Sequence, residues 1–393
     1  MRLAWGDDEL RFRDELVAFL DEHVPPEALA GFDTMDSGAR ERAEVIPGWA
    51  RQWQATLFDH GWMVPGYPPE LGGRNATPIQ TLVYLEEMAV RRILRSLHFP
   101  GYAIVAPSLL EFGNEEQRAL VPAAIRGDTI WCIGMSEPNA GSDLAGLQTR
   151  AIVDGDRFIV NGQKVWTSYA MVAQKCFVYV RTDPDAPKHK GISLLIVDMD
   201  TPGIEVRPLR HLSGAAHFAE VFFTDVEVPV ENVVGGVNDG WRITQGSLAH
   251  ERAGLWVDAV ARLESTINGL IEIVRRRGLL GDAGVRRRIA EIYEQAASLR
   301  ALGYKGFASF AQGSSAPEHS YMKMATSELG KAAYEFAMEL QGAYGAVRDA
   351  ERGEEHGRWV DLFFLSFANT VAGGTSEIQR NIIAQRVLGL PRA

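Results

Sequence analysis

Two segments of the chain, Met135–Asp143 and Asn161–Ser168, combine hydroxyl side chains with a tryptophan and glycine turns. A conjugated ring such as a flavin needs hydrogen-bond partners along its polar edge and a flat apolar surface against its face. Ser136, Trp166 and Ser168 meet that description. Either segment alone would suit a plain turn or a core tryptophan, but together they predict a flavin site.

A third segment, Ala372–Arg380, opens a helix after two glycines. Gly373 and Gly374 permit a tight turn, and the Thr375-x-Glu377 pattern is typical of a helix N-terminus. Free backbone N–H groups and the positive end of the helix dipole favour anionic or polarised oxygens there. The segment therefore predicts an oxygen-binding turn, with a plain glycine turn before a capped helix as the alternative.

Glu251 precedes Arg252 in a segment with helical spacing of its apolar residues. Leu248 and Gly254 are expected to face inward, and Glu251 lies about one turn after Leu248, on a similar face. A carboxylate in apolar surroundings has a raised pKa and suits a general base. We therefore predict a base at Glu251, with a solvated Glu–Arg pair as the alternative.

The composition is that of a globular protein with two or three domains. The chain has 393 residues, of which 46% are hydrophobic and 23% charged, and single cores rarely grow beyond about 250–300 residues. The formal net charge of −11 disfavours nucleic acid as a partner, because that polyanion selects basic surfaces. Local arginines must therefore bind any phosphate-bearing ligand.

Cysteine usage and hydropathy argue against a disulfide-stabilised, metal-binding, membrane-spanning or secreted protein. Cys132 and Cys176 give neither a disulfide framework nor metal-ligand spacing, so we predict two small buried residues and no metal site. No window approaches 18 uninterrupted apolar residues, and the N-terminus lacks the apolar core of a signal peptide. We expect no membrane span and a cytoplasmic location.

Hydrophobic periodicity divides the chain into three blocks, 1–128, 129–236 and 237–393. The first block has helical spacing, the second alternates with a period of two between Gly and Asp turns, and the third returns to long helical periods. Because long helices need partners, the third block predicts a helix bundle. The expected fold class is α+β and multidomain.

Some individual elements are also predicted. The Asn161-Gly162 pair is typical of a hairpin turn. The expected strands and long helices are, in chain order, Arg157–Val160, Cys176–Arg181, Ile192–Val197, Val221–Phe223, Arg286–Phe310 and Tyr321–Leu340.

The order of helices, strands and helices, with the three segments at these places, resembles the acyl-CoA dehydrogenase family over essentially the whole chain. The resemblance implies an N-terminal α-helical domain, a middle β-barrel or sheet domain and a C-terminal four-helix bundle, with FAD as cofactor. It further implies that Met135 and Ser136 bind the pyrimidine edge, that Trp166 packs on the ring with Thr167 beside it, and that the Ser168 hydroxyl reaches N5.

The remaining site roles also follow from the resemblance. Ser142 would lie beside the pantetheine arm of CoA. Thr375 and Glu377 would lie near the adenosine and ribityl parts of FAD. The backbone N–H of Gly373, in the turn with Gly374, would hold the thioester carbonyl, where donors stabilise enolate charge.

One position departs from most of the family. Most members carry the catalytic glutamate where this chain has Gly373. In isovaleryl-CoA dehydrogenase and some actinobacterial steroid side-chain dehydrogenases, the base occupies the position of Glu251, and Arg252 would then face the CoA. The resemblance thus implies α,β-dehydrogenation of an acyl-CoA to a trans-2-enoyl-CoA, with electrons passing to an electron-transfer flavoprotein in fatty-acid or steroid degradation.

Two further departures concern assembly. By resemblance, Arg277 reaches FAD held by a neighbouring subunit, but Leu280 replaces a common phenylalanine and Glu339 a common glutamine. A homotetramer or homodimer and a heterotetramer with a sister subunit both stay open. A flavin monooxygenase and a non-catalytic partner subunit are the alternative functions. The sequence also leaves open which acyl group is the substrate, whether CoA or an acyl carrier protein carries it, and which protein accepts the electrons.

Overall fold

The computed structural model describes residues 5–30, 46–96, 98–212, 214, 216–312, 318–348 and 354–391. Within these ranges, the side chains of residues 30, 246–255, 310, 318–320, 354 and 356 lie outside the description. The side chains of Glu251 and Arg252 are among them.

Helices occupy both ends of the chain. They are α1 Asp7–His23, α2 Pro26–Ala30, α3 Gly48–Asp59, α4 Pro78–Val90, α5 Ala106–Phe112, α6 Glu115–Arg118, α7 Val121–Arg126, α8 Gly240–Arg276, α9 Ala283–Ala311, α10 Glu318–Gln341, α11 Arg358–Val371 and α12 Ser376–Ile382. The predicted runs in the last block correspond to α9 and α10. No helix in the described part of the chain is both long and apolar enough to cross a membrane.

The middle block forms one seven-stranded sheet. Its strands are β1 Trp131–Gly134, β2 Arg150–Asp154, β3 Arg157–Ser168, β4 Lys175–Arg181, β5 Ile192–Asp198, β6 Ile204–Leu209 and β7 Phe218–Pro229. The order is β1-β4-β2-β3-β7-β6, with β5 also paired to β4. The sheet curls around a core that includes Phe158, Val178 and Val221. The predicted fold class, helical ends around a β domain, is confirmed.

The predicted hairpin turn at Asn161-Gly162 is wrong. Both residues lie inside β3, and the chain reverses instead at Gly155, between β2 and β3. Pairing with β7 overrides the local turn signal, because β3 bonds to that strand on both sides of a bulge after Val160. Gly162 is required there for close approach, since a Cβ atom would lie 2.5 Å from Thr149 Oγ1.

The chain separates into two compact units. Unit 1 comprises residues 1–29, 40–84 and 94–251, and unit 2 comprises residues 30–39, 85–93 and 252–393. Within unit 2, glycines let the helices pack closely against tryptophans: Cβ atoms at Gly303 and Gly269 would lie 2.2 Å and 2.6 Å from the rings of Trp256 and Trp359. The three-block division stays a prediction.

Candidate cofactor and substrate site

Trp166 is an exposed tryptophan in an unusual backbone conformation. The register of β3 and β7 shifts between Lys164 and Thr167, and Trp166 at this bulge has a φ of +60°. Its side chain is 55% exposed, and its ring meets Phe218 edge-on, with centroids 5.9 Å apart. A left-handed non-glycine residue costs about 1–3 kcal/mol and is typical of ligand sites. The bulge thus presents a flat apolar surface for a ring.

The two residues after Trp166 differ in environment. Thr167 is fully buried, and its Oγ1 has no hydrogen-bond partner among the described residues. A buried hydroxyl without a partner costs about 1–3 kcal/mol, so a bound polar group that reached it would stabilise the site. Ser168 is only partly buried and pairs with Phe218. The partly buried Ser168 hydroxyl therefore suits a ring with polar edges, as FAD has, whereas the Thr167 hydroxyl is enclosed by the protein itself.

The Met135–Glu137 segment, which we call the flavin loop after its predicted role, is bound to β3 through Lys164. The Nζ of Lys164 donates to the Met135 carbonyl oxygen at 3.2 Å and to Glu137 Oε1 at 2.8 Å. Lys164 is fully buried and Glu137 is 8% exposed. Glu137 also accepts hydrogen bonds from the backbone N–H groups of Gln148 at 2.6 Å and Thr149 at 2.8 Å.

Both members of the Glu137–Lys164 pair titrate abnormally. Burial lowers the pKa of Lys164 to about 8, although Glu137 opposes this shift. For Glu137, burial alone would raise the pKa, but the Lys164 charge and the hydrogen bonds from Thr149 and Gln148 outweigh it, so the pKa is lowered. The pair is therefore ionised at neutral pH.

Ser142 lies on an exposed turn next to the flavin loop. Paired backbone hydrogen bonds between Glu137 and Ala140, at 3.0 and 3.1 Å, close the turn before it. Ser142 itself is exposed, and Asp143 Oδ2 accepts a hydrogen bond from Lys188 Nζ at 2.8 Å. This arrangement leaves the Ser142 hydroxyl on the surface, where a ligand can approach it.

In unit 2, the glycine turn before α12 is held by two side chains. Gly373 and Gly374 have φ values of +65° and +95°, a region that favours glycine. Lys323 Nζ donates to the Gly374 carbonyl oxygen at 2.6 Å, and Gln379 Nε2 donates to the Gly373 carbonyl oxygen at 2.9 Å. Because both carbonyls are bound, the backbone orientation of the turn is fixed.

The first turn of α12 carries the predicted cap. Thr375 Oγ1 accepts a hydrogen bond from the Ile378 N–H at 3.2 Å. Glu377 is exposed, and hydrogen bonds from its own backbone N–H and from the Thr375 hydroxyl lower the pKa of its carboxyl. Ser376 is buried and bonds to Glu328.

Arg277 follows α8 and lies near another glycine turn of unit 2. A Cβ atom at Gly342 would be 4.0 Å from its Nη2. Leu280 and Glu339, the two residues that differ from the common family residues, are both exposed, and Leu280 is 55% exposed. The backbone of Glu251 and Arg252 lies in α8, and their predicted side-chain roles fall outside the described residues.

The sequence-based interpretation missed Lys164, Glu137, Lys323 and Gln379. Lys164 had a usable signal, because it stands in phase with the inward-facing Phe158 and Val160 of β3, and a buried lysine requires an anionic partner. Lys323 and Gln379 had none, since both act on backbone carbonyls. Within the described residues, no group of three or more His, Cys, Asp or Glu side chains could hold a metal ion.

Comparison with known proteins finds matches to one protein family along nearly the whole chain. Sequence models of the acyl-CoA dehydrogenase N-terminal, middle and C-terminal domains match residues 6–128, 132–226 and 238–388. Acyl-CoA dehydrogenase IpdE1 of Mycolicibacterium smegmatis is 36% identical over 353 residues, 87% of this chain and 88% of the relative. Acyl-CoA dehydrogenase FadE26 of Mycobacterium tuberculosis is 32% identical, with all of both chains covered.

Two solved structures are similar over their full length. The Tcur3481-Tcur3483 steroid ACAD superimposes with a TM-score of 0.85 at 30% identity, covering all of both chains. The ChsE4-ChsE5 complex from Mycobacterium tuberculosis superimposes with a TM-score of 0.80 at 31% identity, again covering all of both chains. Each of these two proteins is named for two components.

Proposed function

Because the chain belongs to the acyl-CoA dehydrogenase family of FAD-dependent oxidoreductases, we propose that it converts an acyl-CoA thioester into a trans-2-enoyl-CoA with Glu251 as the base. The observation that carries this proposal is Trp166, 55% exposed at a left-handed bulge. A folded protein retains such strain where the surrounding structure imposes it, typically at a ligand site.

Each part of the chain has a defined task in this proposal. Bound FAD supplies the acceptor for the substrate's β-hydride. Trp166 and the Ser168 hydroxyl hold the ring, with Thr167 beside it, while Ser136 hydrogen-bonds its pyrimidine edge together with Met135. These contacts orient the ring without contributing a proton.

The substrate is bound by separate groups. Ser142 contacts the pantetheine arm, and Arg252 faces the CoA. The N–H groups of the Gly373–Gly374 turn hold the thioester carbonyl and stabilise the charge that develops on its oxygen. Glu251 then removes the α-proton. Thr375 and Glu377 bind the rest of FAD, and Arg277 reaches the pyrophosphate of the FAD held by a neighbouring subunit.

Gly373 supports the assignment of the base to α8. The position lacks a carboxylate, and the nearest atom to a Cβ built there is Lys323 Cε, at 3.9 Å. A side chain at 373 would thus begin next to that of Lys323, whose ammonium charge lowers the pKa of a nearby acid and weakens it as a base. This environment suits a carbonyl-binding turn better than a base.

We further propose a steroid-derived acyl group and assembly with a sister subunit. The similarity to the Tcur3481-Tcur3483 steroid ACAD and to the ChsE4-ChsE5 complex supports this. So do Leu280 and Glu339, which depart from the family in two elements that contact a cofactor bound mainly by another subunit. Electron-transfer flavoprotein is the proposed acceptor.

Anaerobic titration of the purified protein tests the function. A yellow protein whose flavin absorbance is bleached by steroid side-chain acyl-CoAs, and less by straight-chain ones, supports the proposal. Oxygen consumption with a flavin reductase would identify a monooxygenase instead. A protein that stays colourless with and without a sister chain would be a non-catalytic subunit. Native mass measurement then distinguishes a homo-oligomer, with one FAD per chain, from a heteromer.

A further inference from the structure

Two consecutive carbonyls of the flavin loop are bound by two consecutive residues of β3. Lys164 Nζ donates to the Met135 carbonyl oxygen at 3.2 Å, and the Val165 N–H donates to the Ser136 carbonyl oxygen at 2.9 Å. Lys164 is fully buried. These contacts fix the orientation of both peptide planes.

This orientation decides where the Ser136 N–H points. The described backbone contains no cis peptide bond, and a trans peptide places its N–H opposite to its carbonyl. The Ser136 N–H therefore points away from Lys164. It has no hydrogen-bond partner within the part of the chain that the structure describes, so it is available to a ligand.

We propose that the Glu137–Lys164 pair positions and polarises the Met135–Ser136 peptide, so that the Ser136 N–H stabilises the negative charge that bound FAD gains on reduction. An ammonium group on the carbonyl withdraws electron density from the amide, and hydrogen bonds in a chain strengthen one another. This effect is larger in a buried site than in water. The proposal rests on the function proposed above, which places FAD against this loop.

Glu137 keeps the lysine charged and the loop in place. Its Oε1 accepts from Lys164 and from the Thr149 N–H, both at 2.8 Å, and its Oε2 accepts from the Gln148 N–H at 2.6 Å. A buried charge without such a partner is strongly disfavoured. The carboxylate therefore connects the flavin loop to the start of β2 and to β3 at once.

The midpoint potential of bound FAD measures this role directly. We compare wild type with Glu137→Gln/Lys164→Met, because removal of the lysine alone would leave a buried carboxylate without its partner. In the double variant, the equilibrium ratio of reduced to oxidised FAD at a given potential should fall about tenfold. For a two-electron couple this corresponds to a midpoint potential about 30 mV more negative. The dissociation constant of FAD is the second readout.

A second variant and a control keep the test interpretable. Glu137→Gln/Lys164→Gln retains a neutral donor toward Met135, so its potential should lie between those of wild type and the methionine variant. Lys175→Met removes a lysine from the same sheet that bonds to Asp198 instead of the flavin loop. It should leave the potential and the FAD affinity unchanged.

The outcomes separate the two proposals. A folded variant with a more negative potential, or with weaker FAD binding while Lys175→Met binds normally, supports the role of the pair. Glu137→Gln/Lys164→Met with wild-type potential and wild-type FAD affinity overturns it, whereas the proposed function would stand. A wild-type protein that binds no FAD, alone or with a sister chain, contradicts the proposed function itself.

Discussion

Lys323 donates from Nζ to the Gly374 carbonyl oxygen at 2.6 Å, although 51 residues separate them in the chain. Burial lowers the pKa of Lys323, and Glu328 opposes that shift. The contact connects α10 to the turn proposed to hold the thioester carbonyl.

We expect Lys323→Met to lower the rate of flavin reduction by acyl-CoA about 10- to 100-fold, with a smaller effect on KM. The turn would lose a fixed carbonyl, and donors misplaced by even about 1 Å stabilise a transition state poorly. Stopped-flow reduction under anaerobic conditions measures the rate. Lys331→Met, on the same helix but over the Phe367 ring, is the matched control. Equal rates in both variants would exclude a specific role for Lys323.

Glu251→Gln should leave FAD bound and lower flavin reduction by at least about 10²-fold, the contribution expected of a general base. Glu272→Gln, on the same helix and paired with Arg275, should reduce at the wild-type rate. The comparison uses a saturating acyl-CoA that bleaches the wild type. Near wild-type bleaching of Glu251→Gln would remove this residue from the mechanism.

The two glycines of the turn should differ in their response to alanine. Gly373→Ala should destabilise the protein by about 1–2 kcal/mol, because only the left-handed backbone opposes it. Gly374→Ala should cost more, since its Cβ would lie 2.8 Å from Gln379 Nε2. Denaturant unfolding gives both free energies. An equal loss of stability in the two variants would show that the Gln379 side chain moves aside without cost.

Arg277→Ala should lower the amount of FAD retained per chain while the fold stays intact. A pyrophosphate carries two negative charges, and in a chain with a net charge of −11 a positioned guanidinium provides attraction that the overall field does not. Arg275→Ala, which removes an exposed arginine paired with Glu272, should retain FAD normally. Unchanged occupancy in Arg277→Ala, measured by absorbance and circular dichroism together, would argue against its role.

The Glu137–Lys164 pair predicts an alkaline pH dependence of stability. The pKa of Lys164 is about 8 in the folded protein, against about 10.4 in an unfolded chain. Between these values the unfolded chain binds more protons, so the free energy of unfolding rises with pH, by at most about 1.4 kcal/mol per pH unit. Unfolding of wild type and Glu137→Gln/Lys164→Met at pH 8 and pH 10 tests this. If the difference in the free energy of unfolding between the two proteins is the same at pH 8 and pH 10, the prediction is wrong.

The sequence by itself determined the order of helices, strands and helices and the three motif segments, because periodicity and turn chemistry are local properties. The long helices α9 and α10 were predicted within a few residues for that reason. The family assignment followed from the order of the motifs and is confirmed. The cytoplasmic location, the electron acceptor and the role of Glu251 stay predictions.

Only the tertiary structure decided which groups support the motifs. Asn161-Gly162 has a local turn signal, yet pairing with β7 keeps it inside a strand. The exposure of Trp166 depends on a bulge whose register is set by the same distant strand. Glu137 and Lys164 lie 27 residues apart, and each is acceptable in the interior only because folding brings the opposite charge to it. Such pairings are long-range, so no local pattern in the chain specifies them.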